Sequence, residues 1–234
     1  MIKVKIADFV IEIDHRYDYV KELCRDYITD SLNVDFRISC TQDQLDEEAK
    51  NADAAFPMEN IEGLCIYRAI CNKIISYDAF LVHCAVIEVD GSAYAFLAKS
   101  GTGKTTPISL WRKALGDKVK IVNGDKPIFR FIDGELYAYG TPWCGKEGWN
   151  RNTRAKLKSL CFIERAQENS IERLCASDSA MRIMKQILIP KDAQGVSKTF
   201  ELVDRMLKNT DTWLLKCNIS TEAATVAYNA MSKE

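Results

Sequence analysis

Apolar and polar positions along this chain follow two rhythms, the two-residue period of strands and the 3.6-residue period of helices. The opening IKVKIADFVIEI, residues 2–13, reads as one or two strands. DYVKELCRDYI (18–28) has apolar residues at helical spacing, and VDFRISC (34–40) reads as a further strand. The acidic TQDQLDEEAKNA (41–52) predicts a solvated helix. NIEGLCIYRAICNKII (60–75) predicts an apolar helix of about four turns, where the chain enters its core layer.

Two Asp-Gly pairs then set the topology, because Asp-Gly between apolar segments signals a two-residue hairpin. Asp90-Gly91 separates FLVHCAVIEV (80–89) from SAYAFLA (92–98), and Asp133-Gly134 separates KPIFRFI (126–132) from ELYAYG (135–140). After the loop TPWCGKEGWNRN comes the strand LKSLCFIERA (157–166), then strand SIERLCA (170–176) and helix SDSAMRIMKQILI (177–189). Helix VSKTFELVDRMLKN (196–209), strand TWLLKC (212–217) and a last helix from Thr221 complete the chain. The expected fold is α/β, with a mixed, largely antiparallel central sheet flanked by helices. No linker-like tract divides the 234 residues, so a single domain, 1–234, is expected. Within it, a softer division separates an N-terminal α/β subregion, 1–60, from a core, 61–234.

Composition narrows the partners. With 32 Lys and Arg against 33 Asp and Glu, no overall field draws the chain to nucleic acid or to a membrane surface, and any anion must be held locally. The nine cysteines are odd in number and form no C-x-x-C pair, which speaks for reduced thiols rather than a disulfide or zinc framework. With no apolar leader and no long apolar run, a cytoplasmic protein is expected.

The chemistry concentrates at AKSGTGKT, residues 98–105, which fits the phosphate-loop pattern G-x-x-x-x-G-K-[ST] except that Ala98 stands in the first glycine's place. Gly101 and Gly103 let backbone N–H groups converge on one point, alongside Ser100, Thr102 and Thr106. The helix that follows adds its positive end, Lys104 reaches the outer phosphates, and the Thr105 hydroxyl suits magnesium. Pro107 is harmless in a helix's first turn. The competing reading is a glycine turn that holds no ligand. Twenty-one residues beyond Lys104, Asp125 ends the apolar run of KIVNGD, where a strand can deliver a carboxylate to the metal; the alternative is a turn aspartate.

Taken together, SGTGKTT (100–106), VNGD (122–125) and LVHCAVIEVDG (81–91) resemble the HPr kinase/phosphorylase superfamily, whose nucleotide core is shared with ATP-dependent phosphoenolpyruvate carboxykinase. The resemblance spans about residues 60–220. It implies a P-loop domain built into a mixed sheet, with ATP and magnesium as cofactors, Lys104 and Asp125 at the reacting phosphate, and His83 brought beside it by the hairpin. It also implies two departures. The family's first aspartate, the proton acceptor for the substrate hydroxyl, is Gly124 here, and TPWCGKEGWN differs from the family segment tied to the reverse, phosphorolytic reaction.

The vacated acid leaves His83 as the leading proton acceptor, since histidine can exchange a proton near neutral pH; a satisfied core histidine is the alternative. In the loop after Tyr139, Glu147 is a substitute base, Lys146 a contact for the transferred phosphoryl group, and Trp143 and Trp149 walls for an acceptor; the alternative is a packed glycine loop with solvated charges. The favoured function is transfer of the γ-phosphoryl group of ATP to a hydroxyl, serine above all, on a peptide, small protein or small metabolite. An ATP-sensing module without turnover and an ATPase accessory protein stay open. Expected partners are a nucleotide and the hydroxyl-bearing acceptor, with self-association into a homo-oligomer compatible with this reading.

Overall fold

A computed structural model describes residues 1–50, 52, 56–98 and 105–233, Thr105 by its backbone alone. At both Asp-Gly turns the two central residues lie at positive φ, 49° and 81° at Asp90-Gly91, 50° and 84° at Asp133-Gly134. This is the geometry that lets a two-residue turn match the twist of its strands. The first turn joins β5 (Ala85–Val89) to β6 (Ser92–Leu97), with Val89 opposite Ser92. The second joins β8 (Ile128–Ile132) to β9 (Glu135–Tyr139), with Ile132 opposite Glu135. A third hairpin, β1 (Ile2–Ile6) to β2 (Phe9–Ile13), turns through Ala7 and Asp8, again both at positive φ.

The large sheet runs β4 (Ala79–Leu81), β8, β9, β10 (Arg154–Arg165), β6, β5, β7 (Lys120–Asn123). The long β10 carries two neighbours on one side: β9 antiparallel along Arg154–Lys156, then β12 (Asp211–Cys217) parallel along Ser159–Arg165. Strand β11 (Ser170–Arg173) extends this branch. β6 and β12 are the parallel neighbours of β10, and the remaining pairs of this sheet are antiparallel.

The apolar stretch 80–89, which reads as one strand, is two. β4 pairs with β8 at one end of the strand order, whereas β5 pairs with β6 and β7 near the other. Three residues, 82–84, join them and can span only about 10 Å. The sheet therefore curls until its ends meet, and His83 sits in the seam. There Val82 bridges Ile187, and His83 N donates to Gln186 O at 2.7 Å.

Helices cover the curl. One face packs on α5 (Ala176–Ile183) and α6 (Ala193–Asn209) through Ile183, Leu202, Val203 and Met206. The opposite face packs on α4 (Thr105–Leu115) and α7 (Thr221–Met231) through Ile108, Trp111, Ala227 and Met231. Helix α5 stops at Ile183 rather than running to 189: residues 184–186 turn, Gln186 N donating to Ile183 O, and Ile187 then bridges Val82. The first 40 residues form a small sheet, β1-β2-β3 (β3 being Phe36–Ile38), with the short α1 (Asp18–Leu23). Its apolar face shares one buried cluster with α3 (Met58–Ile74) and with Ile128, Tyr139 and Trp143 of the large sheet and the loop after it. Helix α2 (Gln42–Lys50) covers the end of α3. The buried Glu62 of α3 accepts the backbone N–H groups of Arg16 and Tyr17 at 2.7 and 3.0 Å, fastening the start of α1. No helix among the described residues is long and apolar enough to cross a membrane.

Candidate functional site

Strand register decides what meets at the sheet's edge. Ala85 stands opposite Phe96, and Val86 opposite Asn123. The entrance to β5, the exit of β6 and the exit of β7 therefore share one edge, and α4 begins there after residues 99–104. The residues expected from the sequence to form a phosphate loop, Ser100, Gly101, Thr102, Gly103 and Lys104, and the side chain of Thr105, lie outside the described residues. Thr106 is half-buried in the first turn of α4, a turn without any acidic side chain.

At this edge His83 and Asp125 meet: Nε2 of the histidine lies 2.9 Å from Oδ1 of the carboxylate. The other oxygen, Oδ2, accepts from Lys126 Nζ at 3.0 Å. Burial alone would raise the Asp125 pKa, but the His83 hydrogen bond and the Lys126 charge outweigh it and hold the carboxyl well below the usual carboxylate range. An ionised carboxylate only accepts, so the bridging proton belongs to His83 Nε2.

The loop from Gly140 to Trp149 closes over this pair. A side chain at Gly145 would meet Asp125 Cβ at 3.3 Å and Glu147 Oε2 at 3.6 Å, which places the Glu147 carboxylate beside Asp125. Gly145 and Gly148 take φ of 81° and 67°, turning the tip so that Lys146 and Glu147 are both exposed. Trp143 is buried instead. Its ring stacks on Tyr67 at 4.4 Å between centroids, and its Nε1 donates to Gly63 O at 3.0 Å, so it forms the floor of the loop. Trp149 is half-buried, and its carbonyl accepts from Gly124 N at 2.8 Å. Cys144 is buried, which pushes its thiol pKa up, and its Sγ accepts from Asn150 Nδ2 at 3.1 Å; among the described residues no base activates it as a nucleophile.

Gly124 is explained by the same loop. A Cβ there would come within 2.9 Å of Cys144 O and 3.4 Å of both Cβ and O of Trp149. The space a second acid would need is filled by backbone.

The family-model scan finds no match to the chain, and no curated protein matches it. Among solved structures it is similar to the HPr(Ser) kinase/phosphatase from Coxiella burnetii, at 10% identity and a TM-score of 0.38, over 64% of this chain and 95% of that one.

Reasoning from sequence missed the residues that hold this site together: Asn123, Lys126, Thr141 and Tyr67. The Tyr67 hydroxyl and Thr141 Oγ1 both donate to Lys126 O, at 2.9 and 2.7 Å. A signal existed for Asn123, since asparagine opening a turn before Gly-Asp bonds its own backbone two residues on. None existed for Tyr67, which lies 59 residues away in sequence.

Proposed function

We propose that this chain is an ATP-dependent kinase that transfers the γ-phosphoryl group to a hydroxyl on a peptide, small protein or small metabolite. The observation that carries the reading is the His83–Asp125 pair, at the edge where a phosphate-loop sequence leaves β6. Asp125 fixes the imidazole's orientation, and His83 is assigned to take the acceptor's proton as the acceptor oxygen bonds to phosphorus and the bridge to the nucleoside diphosphate breaks. Lys104 and the loop amides are assigned to the phosphates. Glu147 and Lys146, at the exposed tip, are assigned to the acceptor.

The donor set suits magnesium. Among the described residues no group of three or more His, Cys, Asp or Glu forms a cage. Magnesium beside a nucleotide needs one or two carboxylates and completes its shell with phosphate and water. The Asp125 carboxylate, held ionised, and the Thr105 hydroxyl would hold it. When bound, it would supply charge neutralisation at the phosphates.

One observation favours a second reading, an ATP-sensing module without turnover: backbone fills the place of the acid at 124. Labelled γ-phosphate separates the two. A kinase labels a hydroxyl acceptor from the cognate extract, and His83→Ala slows the transfer by about a hundredfold, the usual worth of a general base, with nucleotide affinity little changed. ATP bound tightly, with neither transfer nor hydrolysis, would establish the sensor. Transfer at full rate in His83→Ala would remove the histidine from the mechanism.

A further inference from the structure

Asn123 closes β7 with no exposed surface, and its side chain faces two ways. Oδ1 accepts the backbone N–H of Asp125 at 2.8 Å and of Lys126 at 2.7 Å, which sets the direction in which the Asp125 side chain leaves the turn. Nδ2 donates to Thr141 O at 3.0 Å, with Thr141 Oγ1 at 3.3 Å and Trp143 O at 3.5 Å around it. The loop that starts at Thr141 returns to the same turn through Gly124 N, which donates to Trp149 O.

We infer that Asn123 is the positioning residue of this site: one buried amide that aims the Asp125 carboxylate at His83 and anchors the loop carrying Glu147. The residue type supports more than a turn. Holding the N–H groups of 125 and 126 needs only an oxygen, which Asp or Ser would provide. Gripping the carbonyls of 141 and 143 with the same side chain needs a donor as well, and an amide of this length carries both. Its effect on catalysis rests on the phosphoryl-transfer reading; the coupling of turn and loop does not.

The test uses the full chain with Asn123→Asp, Asn123→Ala and Thr141→Val. Aspartate keeps an oxygen for the turn but presents a second one to the Thr141 and Trp143 carbonyls. The Asp125 and Lys126 amides should therefore stay protected from hydrogen exchange in Asn123→Asp, while the Gly124 amide exchanges at least tenfold faster. In Asn123→Ala all three should exchange faster. At a temperature where the variants are folded, with kcat referred to the folded fraction measured by circular dichroism so that a smaller active fraction does not count, Asn123→Asp should lower kcat for transfer at least tenfold with KM for nucleotide within twofold. Thr141→Val, which removes the hydroxyl that Asn123 Nδ2 reaches and that bonds Lys126 O and Trp143 O, should move both readouts the same way by less, and it carries the test if the position 123 variants do not fold. Unchanged Gly124 exchange, or an unchanged kcat once that protection is lost, overturns the inference. A parent protein that transfers no phosphoryl group overturns the kinase reading, and the exchange measurement still decides whether Asn123 couples turn to loop.

Discussion

Gly124 shows how closely single atoms are accounted for at this edge. The nearest obstacle to a side chain there is the Cys144 carbonyl, backbone in a loop whose floor is fixed by Trp143. Gly124→Ala should therefore cost about 1–3 kcal/mol, the usual range for forcing extra volume into a packed region, and Gly124→Asp should cost no less and restore no base. Urea midpoints for the three proteins check this; coincident midpoints would show that the loop yields freely. At this scale the sequence exposed the acid and the histidine but not what joins them. VNGD marks a carboxylate at a strand end, and His83 was placed near it through a resemblance alone, because contact across 42 positions leaves no periodic trace. Asn123 looked like an ordinary turn residue. Its second set of bonds runs to a loop 18 positions away, where spacing carries no information.

Elements were more legible than atoms wherever local chemistry decides the outcome. Both Asp-Gly hairpins form in the expected register, because only residues tolerant of positive φ can turn two strands in two residues. The segments that departed from their pattern, 80–89 and 184–189, did so where distant strands compete for the same backbone: each contributes an edge to the seam at Val82 and Ile187. Another joint between elements is open to measurement. After α3 and a short 3-10 turn (Ile75–Tyr77) the chain reverses at Asp78, φ 57°, whose carboxylate takes Lys198 at 2.8 Å and Arg205 at 2.9 Å from α6. Burial raises the Asp78 pKa, but these two hydrogen bonds prevail and hold it below the ordinary value. A carboxyl lowered on folding stabilises the protein fully above its unfolded pKa, about 3.9, and loses that contribution as pH falls through the folded value. Asp78→Asn tolerates the same backbone and removes the charge. It should cost under about 1 kcal/mol at neutral pH, as for a partly exposed ion pair, and the difference should fade below pH 4. A difference in urea stability that stays constant with pH would place the effect of Asp78 in its turn rather than its charge.

For the whole molecule, binding and folding are linked. If the edge holds magnesium-ATP, nucleotide at a hundred times its dissociation constant should stabilise the chain by about 2.7 kcal/mol. That corresponds to a rise in Tm of roughly 5–11 °C for a chain of this size, and Lys104→Ala should abolish most of it. A Tm indifferent to millimolar nucleotide would end the phosphate-loop reading. The curl of the sheet gives this linkage a particular form. His83 is one of the three residues that tie β4, at one end of the strand order, to β5 near the other, and among the described residues it bonds to 125 and 186. The loop above is braced from the far side by the first forty residues, where the Tyr27 hydroxyl donates to Asn150 Oδ1 and Asp26 O accepts from Asn152. His83, Asp125 and the loop's brace therefore come from three distant stretches of the chain, and the geometry at this edge exists only once strands from both ends of the sheet's order are in place.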